Sequence, residues 1–204
     1  MQQTISSTRL RLRKSRNDLP PTTRRWYSHL IHQHLLTSGL VIRSAYMAGY
    51  LANDGEPSID PIIQKQHKAN RPVYLPSLRK QQLVFKPYFN NGTLANNKFN
   101  IPEPVGHQYF NPKYLNIILM PLVGFDEQGN RLGMGGGYYD RTLNFALRSS
   151  CKKRPLLIGI AYSQQRVAKL QKQRWDIPLD AVVTELGLVF FSTRAKTQLR
   201  SPTR

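Results

Sequence analysis

A glycine-rich segment flanked by charged residues contains the residue types that a phosphate-binding loop needs. Residues 125–141 read FDEQGNRLGMGGGYYDR, with glycines at positions 129, 133 and 135–137. Because glycine has no Cβ, successive backbone N–H groups can converge on an anion there, and a helix beginning after the glycines would add the positive end of its dipole. Neither a Walker A loop nor G-x-G-x-x-G is present, since no Gly-Lys-Ser/Thr occurs and Tyr138 follows Gly137. Spacing alone leaves phosphate binding and a structural turn as alternatives.

The charged side chains around these glycines favour phosphate binding. Asp140 is a carboxylate within reach of the loop and could hold Mg²⁺ against phosphate oxygens. Arg131 and Arg141 flank the loop and would neutralise negative charge, which predicts an electrostatic and positioning role; no catalytic residue is assigned. Tyr138 and Tyr139 would form an aromatic wall, or else begin a helix as core residues.

The segment follows the most hydrophobic stretch of the chain, which must position it. YLNIILMPLVGF (114–125) predicts a central buried strand from its length and its branched residues. A helix over about residues 139–147 is predicted after the glycines. Loops that follow the carboxyl ends of parallel strands are where α/β proteins bind ligands, so this strand–loop–helix order is typical of a binding site.

Strands and helices alternate along the rest of the chain. Helices are predicted over about residues 23–38, from Asp60-Pro61 onward and in SQQRVAKLQ, while residues 89–111 form a loop rich in Asn, Gly and Pro. Strands are predicted in VIRSAYMAGYL, RPVYLP, LVFKPY, PLLIGIAY, AVVT and LVFF. The alternation predicts the α/β class: one three-layer α/β/α domain over residues 1–204 with a mainly parallel central sheet. The basic segment 1–20 and the tail 193–204 are treated as segments that can be flexible.

Length and composition exclude several classes of protein. The chain has 204 residues, of which 40% are hydrophobic, and this is too apolar for a wholly disordered polyelectrolyte. No stretch approaches the roughly 18 apolar residues of a membrane span, and no secretory signal is visible. The single cysteine, Cys151, excludes an internal disulfide framework and a cysteine-cluster zinc site. We expect a soluble, cytoplasmic, monomeric protein.

The chain is strongly basic, which suggests anionic partners. Lys and Arg number 30 against 11 Asp and Glu, giving a net charge of +19, and residues 141–174 contain no carboxylate. Most of these charges are typical of a solvated surface. No RNA-recognition, zinc-finger or helix-turn-helix signature accompanies them, so a basic, non-catalytic RNA- or nucleotide-binding protein on the same scaffold stays an alternative.

The segment PLVGFDEQGNRLGMGGGYYDRTL resembles the signature of the 5-formyltetrahydrofolate cyclo-ligase family, also called methenyltetrahydrofolate synthetases. Further segments match in the family's order over nearly the whole chain: SAYMAGYLANDGEPSIDPII, RPVYLP, IPEP and RWDIPLDAVVTELG. The resemblance implies an enzyme that uses ATP and Mg²⁺. ATP would phosphorylate the formyl oxygen of 5-formyltetrahydrofolate, nitrogen 10 would attack the activated carbon, and 5,10-methenyltetrahydrofolate, ADP and phosphate would leave. The implied partners are ATP and the folate, with or without a polyglutamate tail, and neither an obligate nucleic acid nor a membrane.

The resemblance also implies site residues. The metal ligands would be Asp140 and Asp176, although Asp176 could instead only cap a turn. The folate would contact Leu51, Glu56 and the stretch from Met134 to Tyr138, because a carboxylate suits the adjacent N–H donors of a pterin. The ATP-binding residues would be Arg9, Arg13, Arg131, Leu132, Gly133, Met134, Gly135, Gly136, Gly137, Tyr138 and Tyr139.

One part of the chain departs from the family pattern. The family has Lys-x-x-Leu-Arg near its N-terminus, with cations that bind ATP phosphates, and a gapless alignment places Arg9 on the arginine but Ile5 on the lysine. Either Arg11, Arg13 or Lys14 replaces the lysine through a shift of register, or this phosphate contact is weaker. A related enzyme of thiamine or folate salvage that acts on another substrate is a third alternative.

Overall fold

A seven-stranded sheet forms the centre of the protein in the computed structural model, which describes residues 4–90, 92–148, 151 and 153–200. The sheet order is β11-β10-β9-β6-β1-β2-β3, and pairing is parallel except at the two edge strands β3 and β11. Strand β6 is the middle strand, as predicted. The hairpins β4–β5 and β7–β8 lie outside this sheet. The strands are β1 (Met47–Ala48), β2 (Val73–Arg79), β3 (Gln82–Tyr88), β4 (Leu94–Asn96), β5 (Pro102–Pro104), β6 (Ile117–Pro121), β7 (Gly124–Phe125), β8 (Arg131–Leu132), β9 (Leu156–Ile160), β10 (Ala181–Thr184) and β11 (Gly187–Phe190).

Helices cover both faces of the sheet. They are α1 (Ile5–Asn17), α2 (Pro21–Thr37), α3 (Asp60–Lys68), α4 (Tyr138–Leu143) and α5 (Thr193–Arg200). Successive side chains of a strand point to opposite faces, so Ile117 and Leu119 of β6 pack with α2 and α3 in one core. Ile118 and Met120 pack in the other core, which contains Leu143 of α4. The predicted three-layer α/β/α class with a mainly parallel sheet is confirmed.

Helix α1 was not predicted, because the segment 1–20 shows little apolar periodicity. Leu12 and Arg16 are its buried residues. Its first turn is capped by Thr4, whose side chain accepts a hydrogen bond from the Ser7 N–H. Leu12 packs against Val123, which directly precedes β7, and against Leu132 of β8. The basic segment 1–20, which was expected to be able to be flexible, therefore contains a helix that packs on the rest of the protein. Residues 1–3 and 201–204 lie outside the described residues.

Several predicted elements are shorter than expected. The strand predicted in residues 41–51 is only β1, and the helix predicted in residues 163–171 is a single 3₁₀ turn over Ser163–Gln165. Helix α4 gives way to a 3₁₀ turn over Asn144–Leu147, and the predicted loop 89–111 contains the β4–β5 hairpin. Among the described residues, every helix is too short or too polar to cross a lipid bilayer.

Candidate active site

A cavity of about 1540 Å³ opens where β1, β2 and β6 end. Helix α1, the turn after β1, the loop between β8 and α4, and residues 169–176 contribute to its walls. This is the carboxyl edge of the parallel strands, where the sequence predicts a ligand site. All the residues that were predicted to bind ATP, folate or metal line this cavity.

The glycine loop, defined as residues 133–137, brings bare backbone to the cavity. Gly137 has a φ of 64°, a left-handed conformation that glycine adopts without strain, and it directly precedes α4. A Cβ at this position would lie 2.7 Å from Nη1 of Arg141. Because no side chain of the described residues caps α4, the N–H groups of its first turn have no side-chain acceptor and face a site rich in cations.

Two arginines from different elements hold the glycine loop. Arg9 of α1 donates from Nε to the carbonyl oxygen of Gly133 at 2.9 Å. Arg141 of α4 donates to the carbonyl oxygen of Gly136. The loop is therefore fastened from both sides by guanidinium groups, which also bring positive charge next to its backbone.

The N-terminal departure from the family pattern lies at the same cavity. Ile5, which stands where the family has lysine, lines its wall. Of the three replacements considered for that lysine, Arg13 lines the cavity and Arg11 is exposed. Lys14 makes an exposed ion pair with Asp18. Arg13 is thus the replacement that the geometry favours.

Arg131 and Asp140 form an ion pair across the glycine loop. Arg131 donates from Nη2 to Oδ1 of Asp140 at 2.5 Å, and the Ile177 N–H donates to the same oxygen at 3.2 Å. The Arg131 side chain is 5% exposed. Its Nε has no hydrogen-bond partner among the described residues, so the guanidinium keeps an unused donor in the site.

Asp140 and Asp176 each keep one oxygen without a hydrogen bond from the described residues. Oδ2 of Asp176 accepts the Gln173 N–H at 2.8 Å, so Asp176 does cap a turn, while its Oδ1 stays available. No cluster of three or more His, Cys, Asp and Glu side chains that could hold a metal occurs in the described part of the chain. Mg²⁺ is usually bound by one or two carboxylates, with phosphate oxygens and water as its other ligands. The donor set of Asp140 and Asp176 therefore fits Mg²⁺, whereas it does not suit a metal that is held by protein ligands alone.

Glu56 is the carboxylate on the wall formed by the turn after β1. Its Oε2 accepts the Asn53 N–H at 3.1 Å, and Nη1 of the buried Arg16 lies 3.9 Å from its Oε1. Burial raises the pKa of Glu56 to about 7, although the nearby Arg16 charge acts in the opposite direction. Apolar side chains that line the same cavity, Leu51, Leu75, Leu78, Phe99 and Ile101, offer a surface for a flat ring system.

Comparisons with known proteins agree with this arrangement. The sequence model of the "5-formyltetrahydrofolate cyclo-ligase family" matches residues 2–185. The chain belongs to the 5-formyltetrahydrofolate cyclo-ligase family. It is 37% identical over 176 residues to the 5-formyltetrahydrofolate cyclo-ligase of Haemophilus influenzae, covering 84% of this chain and 92% of that protein. It is 36% identical over 178 residues to the enzyme of the same name from Escherichia coli K12, covering 85% and 96%.

A solved structure supports the same family. The NMR structure of Aquifex aeolicus 5,10-methenyltetrahydrofolate synthetase has a TM-score of 0.80 and 28% identity to this chain, covering 98% of this chain and 95% of that one. The resemblance stated from the sequence, and the enzyme family it implies, are therefore confirmed. The alternative of a non-catalytic RNA- or nucleotide-binding protein is not favoured, because the relatives are named as cyclo-ligases.

Several residues of the cyclo-ligase cavity were not predicted. Asp54, Lys169 and Trp175 line its walls, and Asp54 forms an ion pair with Arg16, which lies behind the lining. The sequence motif that contains Glu56 also includes Asp54, but no feature of the neighbouring sequence indicates that the Asp54 carboxylate contacts α1. Phe99 belongs to the segment taken as loop, where a lone aromatic residue among asparagines was the available signal.

Proposed function

We propose that this chain converts 5-formyltetrahydrofolate and ATP to 5,10-methenyltetrahydrofolate, ADP and phosphate. The observation that carries the proposal is that one cavity combines a glycine loop with cations, two carboxylates with unused oxygens, and a glutamate, 12% exposed, beside an apolar wall. The first two features suit a nucleotide triphosphate with its metal ion. The last two suit a reduced pterin, which presents N–H donors along one edge and apolar faces.

The nucleotide would lie along the glycine loop. Backbone N–H groups of residues 133–138 and the guanidinium groups of Arg9 and Arg131 would bind the phosphates, with Arg13 at the same wall. Mg²⁺ would be held by Asp140 and Asp176, and it would neutralise the charge that develops on the phosphates. Nε of Arg131 has no hydrogen-bond partner among the described residues, which is consistent with a role for this guanidinium in binding a phosphate.

The folate would place its pterin against Glu56. An ionised Glu56 would accept two N–H donors of the ring, and Leu51 with the stretch from Met134 to Tyr138 would pack against its faces. Tyr138 and Tyr139 also line the cavity. The proposed reaction requires the formyl oxygen to face the terminal phosphate of ATP.

In this reaction the protein would contribute more by positioning the reactants than by covalent catalysis. The formyl oxygen forms a bond to the terminal phosphorus as the bond to ADP breaks, which converts a poor leaving group into a phosphate ester. Nitrogen 10 attacks the formyl carbon and loses its proton, the carbon–oxygen bond breaks, and phosphate leaves. Holding the reactants together and stabilising charge account for such catalysis, and the apolar walls would keep water from the phosphorylated intermediate.

All the groups proposed for both substrates belong to this chain, and we propose that the enzyme acts as a monomer. The large positive charge would also attract a polyglutamate tail on the folate, although no particular residue is assigned to it.

The decisive experiment follows the absorbance of the methenyl product. Purified protein with 5-formyltetrahydrofolate and Mg-ATP should form it together with one ADP per product molecule, and omission of ATP or addition of a chelator should stop the reaction. Asp176→Asn should lower turnover at limiting Mg²⁺, whereas Glu127→Gln, which removes an exposed carboxylate paired with Arg166 outside the cavity, should leave turnover unchanged. Folded protein that forms no methenyl product under these conditions would refute the proposal.

A further inference from the structure

We propose that Asp54 is a positioning residue that couples the nucleotide end of the cavity to its folate end through α1. This inference rests on the proposed function. Asp54 itself lies in the turn that contains Glu56, and its carboxylate contacts three side chains of α1. Binding of one substrate would then strengthen binding of the other.

The contacts of Asp54 fasten one end of α1 to the folate turn. Its Oδ2 accepts Nε of Arg13 and Nη2 of Arg16, each at 2.8 Å, and its Oδ1 accepts Nδ2 of Asn17 at 3.0 Å. The Arg16 side chain is 1% exposed, so the ion pair is shielded from solvent on that side. A carboxylate with three such donors has little freedom to move apart from α1.

Backbone conformation brings the turn close to α1. Asp54 has a φ of 49° and Gly55 a φ of 74°, so both lie in the left-handed region. A Cβ on Gly55 would lie 2.4 Å from Oδ1 of Asn17, which means that only glycine allows this approach. The turn and the C-terminal part of α1 therefore form one packed unit.

The other half of α1 contacts the nucleotide loop. Arg9 donates to the carbonyl oxygen of Gly133, and Leu12 packs against Leu132, which directly precedes the loop. From Arg9 to Arg16 a helix rises about 10 Å, so one continuous element contacts both the glycine loop and the turn that contains Glu56. Arg16 also donates to the carbonyl oxygen of Leu122, after β6, and lies 3.9 Å from Glu56.

A shift of α1 toward bound phosphates would thus move the turn that carries Glu56. Ordering of Arg9 and Arg13 by a nucleotide would fix α1, and α1 would fix Asp54 and Glu56 in the position that accepts the pterin. If binding at one site fixes this shared element in the position that the other ligand needs, linkage makes the coupling reciprocal, so each ligand should raise the affinity for the other by the same factor.

The test measures the dissociation constant of 5-formyltetrahydrofolate with and without a non-hydrolysable ATP analogue and Mg²⁺. For the unmodified protein we expect the analogue to tighten folate binding by about fivefold or more. Asp54→Asn should reduce that factor to less than about twofold, because a neutral amide cannot replace the paired charge. Asn17→Ala removes one exposed hydrogen bond to Asp54, so this variant should stay folded. Its coupling factor should lie between that of the unmodified protein and that of Asp54→Asn.

Asp18→Asn is the matched control, since it removes an exposed ion pair with Lys14 at the end of the same helix. It should leave the factor unchanged. The inference is overturned if the unmodified protein shows no coupling, if Asp54→Asn lowers the melting temperature but keeps the factor, or if Asp18→Asn lowers the factor equally. Failure of the proposed function would differ, because then neither folate binding nor methenyl formation would be seen in the unmodified protein.

Discussion

Arg131 and Asp140 lie on either side of the glycine loop and join its two ends, with Nη2 of Arg131 donating to Oδ1 of Asp140 at 2.5 Å. Arg131 belongs to β8 and Asp140 to the first turn of α4. The pair therefore fixes the loop that would hold the phosphates. The two oxygens of the Asp140 carboxylate differ as a result, since one contacts the protein and the other stays available for a metal ion.

The first prediction concerns Asp140→Asn. It removes a proposed metal ligand and leaves the nearly buried Arg131 without its counter-ion, so both turnover and stability should fall. Breaking a buried ion pair from one side costs about 3–5 kcal/mol of the free energy of unfolding. Denaturant titration and the methenyl absorbance assay measure the two effects.

Asp176→Asn separates the metal role from the structural one. Within the described part of the chain Asp176 makes a turn hydrogen bond and no ion pair, so the variant should keep a melting temperature close to that of the unmodified protein. The Mg²⁺ concentration that gives half-maximal turnover should rise at least about tenfold, because loss of a residue that only supports a metal ligand already lowers metal affinity by about 10–100-fold. An unchanged Mg²⁺ requirement in both variants would exclude these carboxylates as ligands.

The second prediction concerns Gly137→Ala in the glycine loop. Alanine at a φ of 64° is strained by roughly 1–2 kcal/mol, and its Cβ would lie 2.7 Å from Nη1 of Arg141. Either the loop or the Arg141 side chain that holds it must move, so the KM for ATP should rise more than the KM for folate.

Gly187→Ala provides the control for that variant. Gly187 also has a positive φ, 137°, but it is the first residue of β11, where a Cβ would have no atom of the described residues within 4 Å. The change should lower stability while leaving both KM values unchanged. Equal effects of the two variants on the KM for ATP would mean that loop geometry is not what binds the nucleotide.

The central strand and the place of the cavity followed from the sequence, whereas α1 did not. The apolar stretch around β6 predicts a central strand because branched side chains are buried on both of its faces. Helix α1 lacks such a pattern, since its burial depends on a charged residue, Arg16, which becomes tolerable only beside Asp54. That carboxylate lies 38 residues away along the chain, and no local periodicity reveals the pairing. Thr4 as a cap, with neither Gly nor Pro before Pro20, was the available signal.

Glu56 shows a second limit of sequence reasoning. Its position in the site was predicted from the family motif, since one acid in a polar turn carries no signal of its own. Its burial and the 3.9 Å separation from Arg16 arise from the packing of α1 against the turn. The elevated pKa of Glu56 is therefore a property of the fold and not of the motif.

The third prediction concerns Asp180, a buried residue outside the cavity. Its carboxylate accepts two hydrogen bonds from Arg154, one from the Leu157 N–H and one from Ser192. Asp180→Asn should destabilise the protein by about 3–5 kcal/mol, because Arg154 loses its charge partner at a site where Asp180 is 1% exposed. The KM values for ATP and folate should not change at a temperature where the variant is folded. A large change in either KM would show that this ion pair reaches the active site.

The fourth prediction uses the elevated pKa of Glu56, which burial raises from 4.5 to about 7. A carboxyl group with a higher pKa in the native state binds more protons there than in the unfolded state. Its contribution to stability is therefore fully present below about pH 4.5 and is lost as the pH rises through about 7. Glu56→Gln removes this pH dependence. As the pH rises from about 5 to about 8, the free energy of unfolding of the variant should therefore increase by about 2–3 kcal/mol relative to that of the unmodified protein.

Thermal or denaturant unfolding across that pH range measures the difference, with Glu127→Gln as a control that removes an exposed carboxylate. The same titration has a functional counterpart, because only the ionised Glu56 can accept both N–H donors of a pterin. The KM for 5-formyltetrahydrofolate should accordingly fall as the pH rises through about 7 in the unmodified protein, and Glu56→Gln should have a high KM that does not respond to pH in this range. A stability difference that stays constant with pH would mean that Glu56 ionises as it does in water and that α1 does not shield it.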